Sequence, residues 1–90
     1  MSRRLRIHGR VQGVWYRGWT VDTARALCVD GWVRNRRDGS VEILAEGSGD
    51  AVAHFIERCR QGPPGARVDG VEVEETDEAA PTGFVQRPTL

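Results

Sequence analysis

The order in which two hydrophobic periods follow one another restricts the fold of this chain more than any other feature. Residues Arg3 to His8 alternate, with Leu5 and Ile7 on one side and Arg4, Arg6 and His8 on the other. That is the period of a half-buried strand. From about Tyr16 the period changes. Tyr16, Thr20, Ala24 and Leu27, flanked by Val21 and Cys28, fall on one face of a helix. Gly31–Arg36 reads as a second strand carrying Trp32 and Val33. Asp38-Gly39 separates it from the alternating Val41-Glu42-Ile43-Leu44-Ala45, and Asp-Gly between two such runs signals a hairpin. Asp50 opens a second helix with the stripe Val52, Phe55, Ile56 and Cys59, which Gly62-Pro63-Pro64-Gly65 stops. Val68, Val71 and Val73 predict a fourth strand, with Gly70 a candidate bulge. An acidic loop, Glu74 to Thr82, leads to a short last strand at Phe84-Val85. The order β-α-β-β-α-β predicts an α+β, ferredoxin-like sandwich, an antiparallel sheet with two helices on one face. At 90 residues, with no repeat and no internal linker, one domain over residues 1–90 is expected.

Charge narrows the partners. The net charge is zero, but residues 1–45 hold nine arginines against Asp22, Asp30, Asp38 and Glu42, whereas residues 46–90 hold four arginines against nine acids. An anion is therefore expected to be drawn to the first half. All thirteen basic residues are arginine, so each is a permanently charged fork of donors. No apolar run approaches the roughly 20 residues of a membrane span, and no membrane partner is expected. The arginines of the N-terminal MSRRLRIHGR are followed by no apolar stretch of a signal peptide, so a cytoplasmic location is expected. Cys28 and Cys59 are too few for a disulfide framework and fit no zinc spacing; free buried thiols are expected.

The chemistry-bearing stretch is Gly9-Arg10-Val11-Gln12-Gly13-Val14-Trp15-Tyr16-Arg17, between a strand and the start of a helix. Two glycines let the backbone turn tightly and bring its N–H groups to a ligand. The first amides of a helix lack intrahelical partners, and the helix dipole adds positive charge there. Such a terminus suits phosphate or sulfate, and Arg17 can fork onto two of its oxygens. The nucleotide-binding pattern Gly-x4-Gly-Lys-Ser/Thr does not occur. Glycine spacing alone more often marks a structural turn. A second polar position, Asn35, stands near a strand end. It is either a turn-initiating asparagine or an amide able to donate to and accept from a water.

Taken together, Gly9-x-Val11-Gln12-Gly13-Val14-x-Tyr16-Arg17 and Gly31-Trp32-Val33-Arg34-Asn35-x-x-Asp38-Gly39-x-Val41-Glu42 resemble the acylphosphatase signatures. Gly47 after the hairpin and Gly62-Pro63 after the second helix extend the resemblance over almost the whole chain. It implies hydrolysis of acyl phosphates, with Arg17 binding the phosphate and Asn35 orienting the attacking water. It also implies a cradle of backbone amides from Val11, Gln12, Gly13, Val14, Trp15, Tyr16 and Arg17. The chain departs from the family pattern twice: Cys28 stands where glycine usually follows the first helix, and Trp15 where phenylalanine is common.

The inventory of side chains fits that chemistry. His8 and His54 are the only histidines, and the loop carries no Cys or Ser nucleophile. A carboxylate leaving group, with a conjugate-acid pKa of about 4, departs without a proton donor. Phosphoryl transfer needs mainly positioning and charge stabilisation, which one arginine, a ring of amides and a held water supply. The acids do not cluster as metal ligands, so neither metal nor other cofactor is expected. The expected partner is a small-molecule acyl phosphate, with inorganic phosphate or sulfate as inhibitors and a monomer sufficient. Arg3, Arg4, Arg6, Arg10, Arg34, Arg36 and Arg37 raise the alternative of a nucleic-acid patch, but the aromatic motif used for base stacking on such sheets is absent. Trp19 and Trp32 read as packing and surface aromatics.

Overall fold

The computed structural model describes residues 1–90 and places β1 at Ser2–Arg10, α1 at Tyr16–Ala26, β2 at Asp30–Asn35, β3 at Val41–Glu46, α2 at Gly49–Gln61, β4 at Arg67–Glu75 and β5 at Phe84–Gln86. The strands form one sheet in the order β4-β1-β3-β2-β5. β1 runs antiparallel to β3 and β4, and β2 antiparallel to β3, as the pattern predicts. β5 departs from it by lying parallel to β2, so the sheet is mixed. The reason is geometric. β4 ends opposite Arg3, at the end of the sheet where β2 begins. A chain returning from there to the free edge of β2 must run the same way as β2. No helix is long and apolar enough to cross a membrane.

Side-chain alternation assigns the faces. Leu5, Ile7, Val33, Val41, Ile43 and Ala45 point to the helices and join Tyr16, Ala24, Phe55, Cys59 and Phe84 in one core. Burying each large aliphatic or aromatic side chain contributes roughly 1.5–3 kcal/mol. α2 is held by a Ser48 cap whose hydroxyl accepts from the Ala51 amide at 3.1 Å, with Asp50 in its first turn and Arg58 and Arg60 in its last. These charges suit the helix dipole at both ends. The extra residue of the β1–β4 bulge is Asp69, beside the expected Gly70.

The open face is not simply solvated. Trp32, expected as a surface aromatic, is 1% exposed although no helix covers it. The Arg34 and Arg87 guanidinium groups lie 4.5 and 5.0 Å from its ring centre and shield it by cation–π stacking. Beside it Glu42, 3% exposed, is ringed by Arg34 at 2.7 Å, Arg36 at 3.3 Å, Arg6 at 3.9 Å and Arg4 at 4.0 Å. Arg4 also pairs with Glu78 and Arg3 with Glu75. Of the seven arginines of the nucleic-acid reading, Arg3, Arg4, Arg6, Arg34 and Arg36 are thus matched by acids.

Candidate active site

The loop between β1 and α1 and the end of β2 meet at one end of the sheet. A pocket of about 180 Å³ there is lined by Val11, Gln12, Gly13, Trp15, Tyr16, Arg17, Gly18, Asn35 and Gln86. The loop rises off β1 through Gly13 at φ 74° and enters α1 through Trp15 at φ 65°. This path turns the amides of Gln12 to Gly18 away from every internal acceptor: none donates to a backbone or side-chain group of the protein. No side chain caps α1 and no acid stands in its first turn. A row of uncommitted amides at a helix start is an arrangement that suits an anion.

Arg17 reaches into the same pocket and forms no ion pair. Its fork is therefore uncommitted, unlike those of Arg3, Arg4, Arg6, Arg34 and Arg36. Asn35 enters from the end of β2. It is 9% exposed, its side-chain amide has no partner in the protein, and its Oδ1 is fully buried. An unpartnered buried carboxamide is costly in a fold, and here it lines the same pocket as the free loop amides.

The other loop residues are divided between site and scaffold. The Gln12 amide is free, while its side chain donates to the carbonyls of Arg36 at 2.7 Å and Ser40 at 2.9 Å. This clamps the loop onto the β2–β3 turn and fixes its distance from Asn35. Val11 is buried in the core. The Tyr16 hydroxyl donates to the Cys59 carbonyl at 2.6 Å, and burial raises its pKa far above the ordinary value. Its side chain is core and not a proton donor to the pocket. Val14 is the one expected cradle residue that does not line the pocket. Its side chain lies toward Gly65, and its amide donates to no backbone group of the protein.

His8 does not line the pocket and is paired with Glu72 at 2.6 Å, and His54 is exposed on α2. Cys28 is exposed, against expectation, and Cys59 is buried, its thiol pushed up to about 12 by burial. A larger, open depression of about 400 Å³ is lined by residues of the paired strands β1 and β4. Its Arg4 and Arg6 are engaged by Glu78, Asp38 and Glu42, and Glu72 and Glu74 line it too, so it offers no anion site. Sequence reasoning missed Gly18 and Gln86. Gln86 comes from β5, and only its pairing opposite Val33 brings it to the pocket.

The sequence model of the acylphosphatase family matches residues 3–86. This chain belongs to the acylphosphatase family. An acylphosphatase of Rhizorhabdus wittichii is 52% identical over 90 residues, covering 100% of this chain and 91% of the relative. One from Rhodospirillum rubrum is 57% identical over 88 residues, covering 96% and 94%. The crystal structure of the Bacillus subtilis acylphosphatase superposes with a TM-score of 0.90 at 37% identity, covering 96% of this chain and 97% of the other. The chain is thus an acylphosphatase, a hydrolase acting on the acid anhydride of an acyl phosphate, built on the ferredoxin-like α+β fold.

Proposed function

We propose that the phosphoryl group of the substrate lies in the loop, bound by Arg17 and by amides between Val11 and Gly18, and that Asn35 holds the attacking water. The observation that carries this reading is the convergence of three uncommitted groups on one small pocket: the loop amides, the Arg17 fork and the Asn35 carboxamide. In the proposed reaction the water oxygen bonds to phosphorus as the bridging P–O bond breaks. The electron pair of that bond leaves on the carboxylate. Both water protons remain with the phosphate, giving dihydrogen phosphate, so the leaving group needs no acid. The amides and Arg17 stabilise the charge spread over the equatorial oxygens. No group of three or more His, Cys, Asp or Glu side chains is arranged to hold a metal, and the proposed steps use none.

Inorganic phosphate and sulfate, which match the cradle, are proposed as competitive inhibitors. A cytoplasmic monomer, one domain over residues 1–90, is the proposed working form. The pocket is formed from one copy of the chain.

The test is turnover of acetyl phosphate beside an alkyl phosphate monoester, with and without a chelator. Hydrolysis of the acyl phosphate alone, unaffected by the chelator, is expected, because nothing in the pocket protonates an alkoxide. Comparable rates on both, or loss in the chelator, would overturn the mechanism.

A further inference from the structure

The pocket is small beside a typical ligand site of roughly 300–1,000 Å³. With the phosphoryl group in the loop, the acyl group must project through the mouth. Two side chains flank that mouth. Trp15 is 64% exposed, more than any other large apolar residue, and lines the pocket. Gln86 faces it from β5 with a side chain that makes no hydrogen bond in the protein.

Trp15 is held there by construction. Its φ of 65° is an uncommon conformation for a bulky residue. Gly18, one turn on, has no Cβ, and one built there would run into the Nε1 edge of the indole, with Cδ1 at 2.8 Å. The indole therefore lies against bare helix backbone, a flat apolar plate seated beside the cradle. We infer that Trp15 and Gln86 form the seat of the acyl group, the indole stacking on a planar acyl chain and the Gln86 amide donating to the acyl carbonyl oxygen, so that aroyl phosphates are preferred to small aliphatic ones. This rests on the reading of the loop as the phosphoryl site.

The experiment compares kcat/KM for benzoyl phosphate and acetyl phosphate in the unaltered protein and in Trp15→Ala, Trp15→Phe, Gly18→Ala and Gln86→Leu. The unaltered protein is expected to favour benzoyl phosphate. Trp15→Ala is expected to cut that preference about tenfold, as for loss of an aromatic pair with its buried area. Trp15→Phe is expected to keep most of it. Gly18→Ala, which lifts the indole from its seat while leaving Trp15 in the chain, is expected to cut it as well. Gln86→Leu removes a donor common to both substrates, so both values are expected to fall about threefold to tenfold with the preference kept. Turnover of both substrates with an unchanged preference in Trp15→Ala and Gly18→Ala overturns the seat alone. Gln86→Leu at full activity removes Gln86 from it. Failure of the unaltered protein to hydrolyse either substrate overturns the phosphoryl site and the seat together.

Discussion

Arg17 and Asn35 occupy one pocket but are asked for different things. In the proposed mechanism Arg17 binds charge already present in the substrate, so its loss is expected to weaken both phosphate binding and turnover. Arg17→Lys keeps the charge yet loses the planar fork, and a cost of about 2–5 kcal/mol in kcat/KM is expected. A lysine variant with near-normal turnover would move the role to another arginine, with Arg10 next along the loop. In the same proposal Asn35 acts on the water, so it matters most at the transition state. Asn35→Ala is expected to lower kcat roughly 10²–10³-fold with phosphate Kd little changed. If Asn35 only shaped the turn, the melting temperature would fall and turnover per folded molecule would persist. Cys28 presents a separate residue-scale case. It sits at φ 58° just past α1, where a side chain costs roughly 1–2 kcal/mol. Glycine fits there but loses more backbone entropy, about 0.5–1 kcal/mol. Cys28→Gly is therefore expected to raise the melting temperature by roughly 2–8 °C with activity intact. A lower melting temperature would mean that Cys28 makes a contact worth more than its strain.

At the scale of elements, both helices, the four antiparallel strands and the hairpin at Asp38-Gly39 were legible from periodicity and turn residues, because those signals are local. What was not legible depends on partners distant in sequence. The parallel β5 follows from where β4 ends, and Gln86 reaches the pocket only through that pairing. The buried state of Trp32 depends on Arg87, fifty-five positions away in the chain. Glu42, placed by the sequence only in an alternating strand, is the hub of four arginines. Burial pushes its pKa up, but the Arg34 hydrogen bond and the charges of Arg34, Arg36 and Arg6 outweigh this and hold it below its usual 4.5. A carboxylate with a depressed folded-state pKa contributes stability above its unfolded value, and that contribution is lost as pH falls through the folded value. Acid destabilisation below about pH 4.5 is therefore expected. Glu42→Gln is expected to flatten that acid limb and to cost about 2 kcal/mol at neutral pH, less than a fully buried pair because the arginines are partly hydrated. Urea unfolding at pH 7 and pH 3 checks both; an unchanged acid limb would assign it to other carboxylates.

Over the whole molecule, the charge asymmetry of the sequence is offset in part. Arg3 and Arg4 of the first half meet Glu75 and Glu78 of the second, and His8 meets Glu72. Arg17 is one of the first-half arginines that no acid answers, and it is the one that lines the pocket with the free amides of the loop. Those groups lie in one site only when β1, α1 and β2 are packed together, and the unfolded chain has no equivalent of it. Phosphate is therefore expected to bind the folded protein alone and to stabilise it by mass action. At a tenfold excess over its Kd the gain is about 1.4 kcal/mol, a rise of roughly 6–11 °C in melting temperature for a domain of this size. Sulfate is expected to act similarly, and chloride at equal ionic strength to have little effect, because screening cannot imitate a tetrahedral anion held by several donors. Arg17→Ala is expected to remove most of the phosphate response while keeping the fold, since the side chain is unpaired within it. A phosphate shift equal to that of chloride, or one that survives Arg17→Ala in full, would mean that the anion binds elsewhere on the molecule and that the loop is a structural turn.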